Sequence, residues 1–239
     1  MKHYYQPDQY SCVQGSAAIL LSFFGIDKTP EEIISEVPPR SWPDRPELVA
    51  GTPNQDIASY FLSLGFDVTI LSFDTWITDQ SWKGKTNEQI MSRLQAGSGK
   101  LTAPAIGRSG SELYIQGYID FVKSGGTINV DGSPRLDLIE SLTIMAPIIT
   151  TVAFNTLYSD GKSIAASDRS STYDDVEGLS PNHNIVITRI DGDEVFYFDS
   201  WKDSSELSVH RDVMIAAISA AQQECDNMFI IVRDKANDR

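Results

Sequence analysis

His183-Asn184-Ile185-Val186-Ile187-Thr188-Arg189-Ile190-Asp191-Gly192-Asp193-Glu194-Val195-Phe196-Tyr197-Phe198-Asp199 is the stretch on which the fold turns. Two runs rich in β-branched and aromatic residues flank Asp-Gly-Asp, which reads as a β-hairpin. A three-residue loop, Asp191-Gly192-Asp193, pairs Ile190 with Glu194. In that register Ile185 faces Asp199 and His183 faces Trp201. The side chains of His183 and Asp199 then share one face, one pair apart, within reach of a hydrogen bond. A slip of one residue would put them on opposite faces, so the reading depends on the loop length.

Outward from the hairpin, Pro147 to Phe154 reads as a buried strand and Met228 to Val232 as a last one. The N-terminal half is helical. Apolar residues recur at helical spacing from Ser11 to Phe24, and Gly25 stops the run. Thr29-Pro30-Glu31-Glu32 reads as a capping box, Thr52-Pro53 as a similar start with Gly65 as its stop, and Thr86-Asn87-Glu88-Gln89 as a third box. Phe66 to Phe73 alternates like a strand. Further helices are expected over Ser111–Lys123, from Ser133-Pro134 to Met145, and over Ser208–Gln222. Residues 38–51 read as a Pro- and Arg-rich loop, and 155–182 as a long polar loop of the kind that is usually functional or disordered. Gly99-Lys100 lacks the spacing of a phosphate loop. Helices first and then mainly strands imply an α+β fold over the whole 239 residues.

Composition bounds the function. With 33 acidic residues against 19 basic ones, the formal charge is −14, which argues against a nucleic-acid partner. It suits a cationic partner, although a solvated acidic surface explains it as simply. No stretch approaches the roughly 18–20 apolar residues of a bilayer span. Met1 to Pro7 has no charged segment followed by an apolar one. A cytoplasmic protein is expected, or one exported without a classical signal peptide. Two cysteines, Cys12 and Cys225, make neither a disulfide framework nor a Cys-rich zinc site. The sequence does not set the oligomeric state.

Cys12 opens a helix, where unpaired N–H groups and the positive end of the dipole favour a thiolate. A lone cysteine is more commonly a small buried hydrophobe. A thiolate nucleophile needs a base and an oxyanion stabiliser. Of three histidines, His3 lies in an N-terminal tail and His210 in the first turn of a helix, at the surface. His183, with Asp199 to orient it, leaves the nucleophile–base–orienter arrangement as the coherent one. Gln6, six residues before Cys12, offers an amide donor for an oxyanion, with Gln9 as a competitor. A metal site on Cys12, His183 and Asp199 lacks a closely spaced ligand pair. No cofactor is expected. Cys225 reads as an inert thiol, and Trp42, Trp76, Trp82 and Trp201 read as core or cleft-wall aromatics.

Gln6, Cys12 opening a helix that ends at Phe24-Gly25, His183-Asn184-Ile185-Val186-Ile187-Thr188 and Asp199 sixteen residues on together resemble the papain-like cysteine peptidases. They are especially similar to the double-glycine leader peptidases that process bacteriocins, and to their free-standing relatives. Gly51-Thr52-Pro53 opening a helix that ends at Gly65-Phe66 fits as well. The resemblance implies a papain-like fold, with a nucleophile helix packed on a C-terminal antiparallel sheet. It implies Cys12 as nucleophile, His183 as base and acid, Asp199 as orienter and Gln6 as oxyanion donor. A single domain over 1–239 follows, with an atypical insertion around 74–132 and a lid at 155–182. The implied activity is hydrolysis of a peptide or isopeptide bond in a peptide or protein substrate; separately, the Asp and Glu residues of 155–182 would attract a basic peptide, although solvation explains them equally well. Amide acyl transfer and deamidation use the same constellation, and a non-catalytic peptide-binding module is the alternative of a different class. Two departures stand out: Val13 replaces a usual glycine, and Asp199-Ser200 replaces Asp-Pro. Val13 is expected to narrow the cleft or change how an acyl group sits.

Overall fold

The computed structural model describes residues 1–104, 106–165, 171–178, 180–202, 205–221 and 226–235. Helix α1 (Cys12–Phe23) is buried on almost every face from Val13 to Leu21, as a central helix must be. Helix α2 (Pro30–Glu36) carries the expected capping box between Thr29 and Glu32. Residues 38–51, expected as a loop, instead hold strands β1 (Arg40–Trp42) and β2 (Arg45–Gly51), an antiparallel pair outside the main sheet. The pair has broken register and a strand containing Pro46, so it shows no alternation to read.

Helix α3 (Asn54–Ser63) starts one residue later than its Thr-Pro signal. The hydroxyl of Thr52 is taken by Gln14, whose Nε2 donates to it at 2.6 Å, so it does not cap the helix. Strand β3 (Asp67–Ser72) follows, then a single 3₁₀ turn, and α4 (Asn87–Gly97) with its Thr86–Gln89 box intact. Helix α5 (Gly107–Lys123) begins four residues before the expected Ser111. Ser111 donates back to the Gly107 carbonyl at 2.7 Å and sits inside the helix rather than at its cap. Strand β4 (Thr127–Val130), which the sequence reading missed, is four residues long and pairs parallel with β3. These elements occupy most of 74–132.

Helix α6 (Leu136–Thr143) precedes β5 (Ile148–Ala153), which is buried on both faces. The long loop expected at 155–182 contains α7 (Phe154–Tyr158) and a small hairpin of β6 (Ser163–Ala165) and β7 (Ser171–Tyr173). Strands β8 (Asn182–Asp191), β9 (Glu194–Phe198) and β10 (Leu207–His210), helix α8 (Arg211–Ala220) and strand β11 (Met228–Arg233) complete the order. Cys225, expected to be an inert thiol, lies outside the described residues.

The main sheet runs β10-β9-β8-β5-β11-β3-β4, antiparallel except for β3 with β4. Successive residues of its central strands serve two cores, as a period of two requires. Ile149, Val186 and Ile230 pack with α1, α3, α4 and α5, through residues such as Leu20, Phe61, Ile90 and Tyr118. Ile148, Ile185 and Phe229 pack with α6, α7 and α8, through Ile139, Leu157 and Met214. The fold is α+β, with a central N-terminal helix laid on a largely antiparallel sheet.

The hairpin corrects one expectation in detail. The turn has two residues, since Asp191 pairs with Glu194, and Gly192 takes φ +60°. That register alone would separate His183 from Asp199 by face. A bulge between Ile187 and Arg189 shifts the pairing back, so Ile187 meets Tyr197 and Val186 meets Phe198. Continued by one residue, this is the register that sets Ile185 opposite Asp199.

Candidate active site

Helix α1 and strand β8 lie side by side. The Ser16 hydroxyl donates to the Asn184 carbonyl at 3.0 Å, which ties the helix to the strand one residue from His183. Cys12 is the first helical residue, so its N–H has no acceptor within the helix. It is a free thiol and partly exposed. Its partners are buried: His183 is 6% exposed, Gln6 1% and Asp199 0%. Cys12 is the most exposed of the four.

His183 Nε2 lies 2.7 Å from Asp199 Oδ1. Cys12 is an electrostatic neighbour of the ring, and with Nε2 on Asp199 only Nδ1 remains to face the sulfur. Burial alone would favour a neutral ring. The charge of Asp199 and its hydrogen bond, with the Cys12 contact, outweigh burial and hold His183 above the usual imidazole range. Burial likewise favours a protonated Asp199, but His183, the Tyr158 hydroxyl and the Trp201 N–H outweigh it and keep the carboxyl below its ordinary value. The Trp201 N–H donates to Asp199 Oδ1 at 2.7 Å, and the Tyr158 hydroxyl donates to Oδ2. Phe154 sets its ring edge-on to the imidazole, with centroids 5.4 Å apart.

Gln6 joins the same group through Ser200. The Gln6 N–H donates to the Ser200 carbonyl at 3.0 Å. The Ser200 hydroxyl donates to Gln6 Oε1 at 2.8 Å, and Gln6 Nε2 donates to the Asp8 carbonyl at 2.8 Å. One amide N–H of Gln6 is thereby used and the amide's orientation is set. Gln9 makes no such link; its Oε1 is buried without a hydrogen-bond partner. Serine in place of the expected proline supplies the hydroxyl that holds Gln6. Val13 is buried in the core around α1 rather than standing in the open part of the site.

His3 is not a loose tail residue. Its Nε2 sits 2.9 Å from the Asp199 carbonyl oxygen, and its ring stacks on Phe198. His210 is the N-cap of α8 and accepts from the Asp212 N–H at the surface. Sequence reasoning overlooked Tyr158, which lies in the stretch read as a loop, named Ser200 only as a departure and took Trp201 as a core or cleft-wall aromatic. Trp201 had one usable signal, since the hairpin register already set it opposite His183.

Among the described residues, no group of three or more His, Cys, Asp or Glu is arranged to hold a metal ion. None of their helices is long and apolar enough to cross a membrane. A surface hollow of about 550 Å³ lined by Met1, Phe23, Ile144, Met145, Pro147 and Phe198, among others, includes none of the four candidate residues.

No family model and no curated protein matches the chain. Among solved structures, it aligns with one from Bacillus anthracis provisionally described as a C39-like peptidase, over 98% of this chain and 94% of that one, at 11% identity and a TM-score of 0.48.

Proposed function

We propose that the protein is a papain-like, thiol-dependent hydrolase of peptide or isopeptide bonds. The observation that carries this reading is the buried imidazole of His183, hydrogen-bonded to the Asp199 carboxylate and neighboured electrostatically by Cys12 at the N-terminus of α1. In this reading the Cys12 sulfur attacks the substrate carbonyl carbon, and its proton resides on His183 Nδ1. The resulting oxyanion accepts from the Cys12 N–H and from the second Nε2–H of Gln6. The imidazolium protonates the departing amine, which leaves a thioester on Cys12. Water, deprotonated by His183, then hydrolyses the thioester and restores the thiol. Asp199 holds the ring with Nδ1 towards the sulfur throughout. The substrate is a peptide or protein, and the acidic surface favours basic segments.

The test is a crystal structure with a peptide aldehyde added to the protein. The expected result is a hemithioacetal on Cys12, with its oxygen within hydrogen-bond distance of the Cys12 N and Gln6 Nε2 and with His183 Nδ1 beside the sulfur. A thiol that stays free, or an adduct with His183 turned away, would sink the mechanism. In solution, Cys12→Ala should abolish hydrolysis of a quenched peptide library, whereas a variant retaining turnover would mean that another group is the nucleophile.

A further inference from the structure

We propose that Tyr158 is a positioning residue of this site, holding the outer carboxylate oxygen of Asp199 so that the inner one is presented to His183. The inference rests on the hydrolase reading above and adds to it a phenol donor from the second core.

Three observations carry it. First, Asp199 is fully buried, and its two oxygens are divided between different partners. Oδ1 serves His183 Nε2 and the Trp201 N–H, while Oδ2 accepts from the Tyr158 hydroxyl. A buried carboxylate oxygen without a donor is costly, so the phenol decides which rotamer of Asp199 is satisfied. Second, Tyr158 has one hydroxyl proton and gives it to Asp199. The Tyr197 phenol is a buried electrostatic neighbour of Tyr158 and Asp199. Burial and the nearby carboxylate keep both phenols protonated and hence able to donate.

Third, the geometry of α7 is built around this contact. Phe154 and Tyr158, four residues apart on the helix, touch the imidazole and the carboxylate respectively. Lys202 Nζ lies 4.1 Å from the Tyr158 ring centroid and 5.0 Å from that of Phe154, and a cation over a phenol ring strengthens its O–H as a donor. Directly after Tyr158, Ser159 takes φ +51°, the left-handed region that a serine seldom adopts. The chain turns away there as soon as the hydroxyl has been delivered.

The experiment measures the rate of Cys12 alkylation by iodoacetamide as a function of pH in the wild type, His183→Ala and Tyr158→Phe. The groups that face Asp199 are His183, Tyr158 and the backbone of Trp201, with Tyr197, Lys202 and His3 next to them. Loss of the phenolic donor destabilises the carboxylate, which then takes up a proton at higher pH and no longer supports the imidazolium. The acid limb of Tyr158→Phe should therefore move up by about half a pH unit or more, a roughly threefold loss of rate on that limb. Phenylalanine keeps the ring packing and the Lys202 contact, so a purely structural role would leave the profile in place. Should Tyr158→Phe fail to fold, 3-fluorotyrosine placed at position 158, a more acidic phenol and a stronger donor, decides instead: the acid limb should move down, and an unmoved limb overturns the inference. A wild-type profile that responds to His183→Ala but superimposes on that of Tyr158→Phe overturns this inference and leaves the hydrolase reading standing. A wild-type profile unaffected by His183→Ala overturns both.

Discussion

Gly15 sits one helical turn after Cys12, where α1 passes Ser200. A Cβ there would fall on the Ser200 side chain and within 3.3 Å of Gln6 Cβ. The glycine thus permits the close approach that lets Ser200 hold the Gln6 amide. Gly15→Ala should destabilise the protein by about 1–3 kcal/mol, as overpacking does, read from denaturant midpoints. It should also slow turnover more than Cys12 alkylation, because the amide that meets the oxyanion is displaced while the thiol–imidazole pair is not. An equal loss in both would place the damage at the thiol instead. Gln6→Ala, which removes the donor itself, should lower kcat by about 10²–10³ with the fold intact, in line with the loss of one oxyanion donor. An unchanged kcat would remove Gln6 from the site. Cys12, His183 and Asp199 were legible as candidates from type and spacing, and Gln6 from the family resemblance. Ser200 and Tyr158 were not, because a serine hydroxyl and a phenol carry no pattern of their own.

Among the elements, the β8–β9 hairpin has the most to account for. Its two-residue turn needs the left-handed conformation at Gly192, and the bulge near Thr188 corrects the register before the strand reaches His183. Gly192→Ala should cost about 1–2 kcal/mol of stability, the penalty for a Cβ in the left-handed region, checked by urea unfolding. The alkylation profile of the folded fraction should be unchanged, since the bulge and not the turn sets the register at the site. A shifted profile would mean that turn and site are coupled. The hairpin was legible as an element, yet the loop length inferred from Asp-Gly-Asp was one residue too long. The bulge offsets that difference, and no residue in Ile187-Thr188-Arg189 announces it. The helix caps at Thr29 and Thr86 were readable because a capping box is local. Thr52 followed the same local rule and was overridden by Gln14 from another helix.

Taken as a whole, the molecule buries an imidazole and a carboxylate between two cores, so its stability depends on pH through both. The His183 value in the folded state lies above its unfolded one, near 6.5. Its contribution is complete below that unfolded value and is lost as pH rises through the folded one. The Asp199 value in the folded state lies below its unfolded one, near 3.9. Its contribution is present above the unfolded value and is lost as pH falls through the folded one. Tm should therefore be highest between these limits and fall on both sides. Asp199→Asn should flatten the dependence at both ends, as measured by calorimetry across pH. A variant curve parallel to the wild type would show that other groups control it.

The sequence by itself determined the α+β class, the order of helices and long strands, and the separation of His183 from Asp199 along one hairpin. Hydrophobic period, caps and spacing are properties of neighbours in the chain, so they can be read there. Only the tertiary structure decided the β1–β2 pair, the short parallel β4, the bulge that restores the register, and the placing of Ser200 on Gln6 and Tyr158 on Asp199. Each of these depends on contacts between distant segments, where a short strand borrows its partner and a hydroxyl takes its role from whatever buried acceptor it meets.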